Sequence, residues 1–255
     1  YTNNSPHVLS YVWVQLDQNI VDPESDTYKT KTNTMSERTT MTQLNAMIDN
    51  SFDGGFKLEY VRDLMGKDLK YTVNKTMMRV DLPTPLAAKG GKVVLNISWA
   101  YNINDRQNPA LSGDSRGGYE FFPEDGNYSY AIAQWYPRMA VYDDINGWQN
   151  KQFLGRGEFA LPFGDYEVNI TVPSDHIVAA TGELQNANSV LTAEQRKRFE
   201  KAKSADTPVL IVTQAEAEMK EKSKEKALKT WTFKATNVRD FAFASSRKFI
   251  WDAQA

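Results

Sequence analysis

The sequence has 255 residues, of which 41% are hydrophobic and 24% charged, with a formal charge of −2 and no cysteine. That length holds one large domain or two small ones with ample core. The near-neutral charge gives no pull toward nucleic acid or an anionic membrane, and the missing cysteines remove disulfides, Cys-ligated zinc and a thiol nucleophile. No apolar run approaches the ~18 residues of a membrane span. The first residue is Tyr1 and not Met, so a mature form or an excised piece is expected.

In chain order, the first strand signal is LSYVWVQL (9–16). MSERTTMTQLNAMIDN (35–50) places Met35, Met41, Leu44, Met47 and Ile48 at helical spacing, which predicts an amphipathic helix. FKLEYVRDL (56–64) follows the turn DGG, MMRVDL (77–82) is expected to stop at Pro83, and KVVLNISWAYNI (92–103) follows Gly90-Gly91. Residues 104–128, rich in Gly, Asn, Asp and Pro, read as one long irregular loop. GDYEVNITV (164–172) and HIVAATG (176–182) are further strands, as are KTWTFKA (229–235) and DFAFASS (240–246). Between them, residues 186–228 read as a helical insertion. TAEQ (192–195) and TQAE (213–216) have the form of capping boxes, with TPVLIVT (207–213) an apolar strand or turn between them. Short strands separated by turn residues predict a mainly β fold, a β-sandwich or an open, curved sheet, with a small helical insertion.

Several chemistries lack their residues. A zincin helix needs two histidines four apart, and the only histidines are His7 and His176. No serine stands in a G-x-S-x-G elbow, and GRGEFALPFG (155–164) lacks the lysine of a phosphate loop. Asp143 and Asp144 are adjacent, and neighbours on a strand point to opposite faces, so turn capping suits them better than acid–base catalysis. Composition and motifs alone therefore reach a β-rich domain without an evident catalytic centre.

Four blocks add to this: YTNNSPHVLSYVWVQL, AQWYPRMAVYDDINGWQ, GRGEFALPFGDYEVNITVPSDHIVAATGEL and VRDFAFASSRKF, in that order and across nearly the whole chain. The series resembles the N-terminal domain of zinc aminopeptidases of the aminopeptidase N family, in its bacterial branch. The resemblance implies a saddle-like, β-rich domain, here residues 1–255 as a single unit. It also implies a catalytic domain after residue 255 that carries the H-E-x-x-H helix and the zinc. This chain would then be non-catalytic, inactive alone and without a metal of its own. It would form one wall of the active-site cleft, with its downstream domain and a peptide substrate as partners and no nucleic acid. The bacterial branch further suggests a soluble protein of the cell envelope or periplasm.

In that family a Gln-x-Glu precedes an Arg on the cleft wall and accepts hydrogen bonds from the substrate's α-amine. An ammonium offers only donors, so an oxygen acceptor at fixed depth sets where the chain is cut. Arg138 matches the Arg. Ala133 stands where the Glu would fall and Gln134 lies one position off, so Gln134 is the residue carried over as substrate-binding. Two readings stand beside it. Gln134 is an ordinary polar strand residue, with Trp135, Tyr136, Tyr142 and Trp148 packing the domain and Arg138 paired to Asp143. Alternatively the chain is an aromatic-rich β-sandwich module that binds carbohydrate or peptide.

Overall fold

The computed structural model describes residues 1–30, 37–48, 51–108, 117–155 and 160–254. The strands in chain order are β1 (Thr2–Asn3), β2 (Leu9–Gln15), β3 (Lys57–Arg62), β4 (Tyr71–Asn74), β5 (Met77–Leu86), β6 (Gly91–Lys92), β7 (Asn96–Ala100), β8 (Gly118–Phe122) and β9 (Asn127–Ile132). Then follow β10 (Arg138–Met139), β11 (Tyr142–Asp143), β12 (Gly147–Trp148), β13 (Gly164–Pro173), β14 (Ile177–Ala180), β15 (Glu183–Leu184), β16 (Val209–Val212), β17 (Leu228–Val238), β18 (Phe243–Ser246) and β19 (Trp251–Ala253). The helices are α1 (Asp26–Thr30), α2 (Met41–Ile48), α3 (Ala187–Val190), α4 (Ala193–Ala202) and α5 (Gln214–Ser223), with a 3-10 turn at Asp17–Val21. The protein is mainly β, and every pairing with a defined register is antiparallel. It divides into two compact units, residues 1–118 with 134–162, and residues 119–133 with 163–255.

In the first unit the main sheet has the order β10-β2-β5-β4. Alternation along β2 turns Val12 and Val14 inward, opposite Val80 and Met78 of β5. With Leu16, Val61 and Leu69 they form the core, which Phe56, Leu58, Ile97 and Trp148 border. Each side chain so enclosed contributes about 1.5–3 kcal/mol through burial of apolar surface. β5 does not stop at Pro83 but runs to Leu86. Leu9 pairs with Leu86 while Tyr11 pairs with Asp81, so residues 82–85 bulge out of the ladder, where proline's missing N–H is harmless. The run 92–103 also differs from a single strand. β6 pairs with β1, and β7 pairs with β3. Of the helix predicted over 35–50, Met41–Ile48 is helical, while Met35 lies outside the described residues. Met41 and Ile48, at the two ends of this helix, are exposed, and Leu44 is half-buried.

The second unit holds the sheets β14-β18-β9-β8 and β13-β17-β15, and the pair β16-β19. β8 and β9 occupy the end of the segment that reads as a long loop. The turn residues of FFPEDGNYSY join two strands there, and the sequence had shown only their turn chemistry. Trp231, Phe233 and Ala235 alternate inward along β17. Both capping boxes form as read. The Thr192 hydroxyl accepts from the Gln195 N–H and the Thr213 hydroxyl from the Glu216 N–H. Glu216 then joins the two helix starts, accepting from Gln195 Nε2 at 3.3 Å and from Arg198 at 2.6 Å. Its burial opposes the charge, yet the Arg198 guanidinium and the Thr213 donors hold its pKa down at about 2.

Gly182, between β14 and β15, sits at φ +87° with its Cα pressed on β17, where a Cβ would stand 2.3 Å from the Lys234 carbonyl oxygen. Gly66 has a similar φ of +79° with open space around it. Gly66→Ala is therefore expected to cost about 1 kcal/mol from backbone strain alone, and Gly182→Ala about 2 kcal/mol or more. Urea unfolding of the two variants measures the difference, and equal losses would mean that β17 yields to the added methyl.

Candidate functional site

Gln134 follows β9 and opens the second segment of the first unit. It is not on a strand. It lies in a bend with φ +53°, a left-handed conformation that costs a residue with a Cβ about 1 kcal/mol unless its surroundings hold it there. They do so through the 3-10 turn that follows β2. Gln18 Nε2 donates to the Gln134 carbonyl at 3.1 Å, and both residues are buried. One turn of chain later, Arg138 enters β10 opposite Gln15. Its Nε donates to Asp17 Oδ2 at 2.8 Å, and a guanidinium nitrogen reaches Gln15 Oε1 at 3.4 Å. Arg138 and Asp17 are 4% and 1% exposed, so neither charge has solvent to fall back on. The Gln134 side-chain amide makes no hydrogen bond to any described residue.

The expected Arg138–Asp143 pair is absent, because Arg138 is spent on Asp17. Asp143 caps the β11–β12 turn instead, accepting from the Ile145 and Asn146 N–H groups at 2.9 and 2.6 Å and from Gln149 Nε2 at 2.8 Å. These donors, Asn146 foremost, hold its carboxyl below the usual carboxylate range. The aromatic residues of the stretch pack. Trp99 Nε1 donates to the Trp135 carbonyl at 3.0 Å, the two indoles lie 6.2 Å apart, and Tyr142 meets Trp148 at 5.2 Å. The structural partners Asp17 and Gln18 carried no signal. A polar DQN run after an apolar strand reads as a solvent-facing turn, and here all three residues are buried.

The two histidines fall in different units. His7 Nδ1 lies 2.8 Å from the Tyr142 hydroxyl. His176, 3% exposed, has Nδ1 2.8 Å from Ser245 Oγ. Asp175 is adjacent, but this is no catalytic triad. Asp175 Oδ2 accepts from Arg247 Nε at 2.7 Å, Ser223 Oγ at 2.9 Å and the Glu225 N–H at 2.7 Å, and Ser245 is enclosed. Among the described residues no group of three or more His, Cys, Asp or Glu side chains is placed to hold a metal ion. The zinc that the family resemblance implies therefore has no fitting donor set among them.

Breaking the Arg138–Asp17 pair takes the facing charge away from a buried ion. Asp17→Ala and Arg138→Ala are each expected to cost about 3–5 kcal/mol by urea unfolding, and the double variant less than the sum of the two. His176 supplies a pH test. Burial, then the charges of Arg247 and Lys229, lowers its pKa from 6.5 to about 4. Above pH 6.5 it is neutral folded and unfolded, and it costs nothing. As pH falls through 6.5 only the unfolded chain takes up the proton, so stability declines, by about 3 kcal/mol once pH reaches about 4. His176→Gln should flatten stability across that window, and an unchanged slope would place the titrating group elsewhere.

No family model and no curated protein matches the chain. Solved structures do. An M1 zinc metallopeptidase from Deinococcus radiodurans with a bound Tyr-Ser-Ala substrate aligns at 13% identity and TM-score 0.40, over 95% of this chain and 36% of its own. A second structure of an M1 zinc metallopeptidase from Deinococcus radiodurans aligns at 13% and 0.39, over 95% and 39%. A two-domain M1 zinc metallopeptidase bound to L-tryptophan aligns at 13% and 0.40, over 93% and 35%. The chain thus spans little more than a third of the length of the metallopeptidases it is similar to.

Proposed function

We propose that this chain is the non-catalytic N-terminal β-domain of a zinc-dependent aminopeptidase. In this reading it forms one wall of the active-site cleft, docks on a metallopeptidase domain and presents Gln134 to the substrate's α-amine. The four ordered sequence blocks suggest the family, and the observation that carries the site is the bend at Gln134. A strained backbone, fixed from behind by Gln18 and by the buried Arg138–Asp17 pair, holds a side-chain amide that has no partner among the described residues. Pre-set acceptors of this kind recognise an ammonium at little ordering cost. A glutamine lacks the charge of the family's glutamate, so its grip on the amine is weaker.

The function of the chain alone would be binding and positioning, with hydrolysis supplied by the partner domain. In the whole enzyme, Gln134→Ala should raise KM for an aminoacyl anilide about tenfold, and Gln134→Glu should lower it. An unchanged KM in both variants removes Gln134 from the amine site. A natural reading frame that continues without an H-E-x-x-H helix removes the aminopeptidase.

A second reading, a module that binds carbohydrate or peptide, is favoured by one face of the β8–β9 hairpin. There Phe121 and Tyr128 lie 4.8 Å apart, and Tyr128 and Tyr130 stack at 6.1 Å. Tyr128 is 38% exposed, as a stacking platform requires. Titration with oligosaccharides and peptides, read by the ring resonances of these tyrosines, tests it, and unmoved resonances dismiss it.

A further inference from the structure

Strand β13 has an open side. It runs ten residues, Gly164–Pro173, along one edge of the sheet β13-β17-β15, and β17 is its only strand partner among the described residues. The Ser174 N–H donates to the Ala227 carbonyl, and the ladder keeps that register from Pro173 opposite Leu228 to Tyr166 opposite Ala235. Bonded and non-bonded pairs alternate in an antiparallel ladder, so Val168, Ile170 and Val172 bond to β17. The far side of β17 agrees with this phase, since the Thr232 N–H donates to Asn186 Oδ1 and the Thr232 carbonyl accepts from the Gln185 N–H. Glu167, Asn169 and Thr171 therefore turn their N–H and C=O groups away from β17, and no described residue meets them.

This edge lacks the usual guards. Edge strands are blunted by lysine, proline or a bulge. Here the bulge lies between Gly164 and Tyr166, and Pro173 stands at the last position, so residues 166–172 carry none of the three. On the exposed face the strand is tied to β17. Glu167 pairs with Lys234 at 3.1 Å, Asn169 with Thr232 at 2.7 Å and Thr171 with Thr230 at 2.8 Å. The other face carries Tyr166, Val168, Ile170 and Val172, with Ile170 buried and the rest half-buried.

We propose that this edge pairs with the same edge of a second copy of the chain, antiparallel about a two-fold axis at Asn169. Glu167 then faces Thr171 of the second copy, Asn169 faces Asn169, and each such pair exchanges both its hydrogen bonds. On the other face Val168 meets Ile170 and Tyr166 meets Val172, so the apolar side of the sheet continues across the axis. The charge pattern selects this register. An axis at Glu167 sets two carboxylates face to face, and one at Val168 makes them diagonal neighbours. An axis at Ile170 or Thr171 brings Pro173, which has no N–H, into the ladder. So narrow a contact buries little surface, and the dimer is weak and reversible. Gln134 and the aminopeptidase reading do not enter, because every residue of this edge belongs to the second unit.

Sedimentation velocity over about a hundredfold range of concentration should show monomer passing to dimer and to nothing larger, because a two-fold pairing closes on itself. Asn169→Pro deletes an N–H that the ladder to β17 does not use, and it should weaken the dimer about tenfold or more. Thr171→Lys places an ammonium beside Glu167 of the second copy and should tighten the dimer about fivefold, while Thr171→Glu should loosen it by about as much. Where the proline variant does not fold, as read by circular dichroism, the two Thr171 variants decide. A monomer at every concentration overturns the proposal. So does open-ended assembly, a dimer untouched by a folded Asn169→Pro variant, or an equal effect of Thr171→Lys and Thr171→Glu.

Discussion

A buried guanidinium must have a counter-charge, and in the first unit that requirement joins two segments 121 residues apart. Arg138 enters its short strand opposite Gln15, with Asp17 beside it as the counter-charge. The conformation of residues 134–137 follows. With Arg138 fixed and Gln18 holding the Gln134 carbonyl, the bend adopts a left-handed step that no local preference supplies. The aromatic residues of the stretch then pack on Trp99, Tyr1 and His7. What looks in sequence like a concentration of chemistry is for the most part ring packing and turn capping.

The second unit solves a similar problem with a carboxylate. Asp175, 6% exposed, takes Arg247 from the end of β18, Ser223 from α5 and a backbone N–H just beyond that helix. Burial alone would raise its pKa, but these donors hold it below the usual range. The same helix end is tied to the β8–β9 turn, where Lys224 donates to the carbonyls of Asp125 and Gly126 and Lys248 pairs with Asp125 and Glu221. In this way Asp175 and Glu216 are each held by a guanidinium, Arg247 and Arg198 in turn.

Much of the fold was legible, and the reason differs by element. β2 and β13 show alternation because one face of each is buried and the other is not. The two capping boxes were readable because cap, third residue and hydrogen bonds all lie within four positions. The β8–β9 hairpin was missed because its turn residues dominate the composition around it. The extension of β5 past two prolines was missed because a bulge is a property of the partner strand as much as of its own sequence. Gln134 was reachable only through resemblance to a known family, and its left-handed backbone is invisible without its neighbours.

The sequence by itself determined the mainly β class, most strand positions, the helix caps and the absence of a histidine pair at zincin spacing, because these depend on periodicity, local hydrogen bonding or simple counting. The tertiary structure alone decided that Arg138 pairs with Asp17 and not with Asp143, that a DQN run is buried, and that His176 stays neutral. Each of these is a pairing between groups far apart in the chain, settled by which charges lose their water together, and that is a fact of packing which no local pattern records.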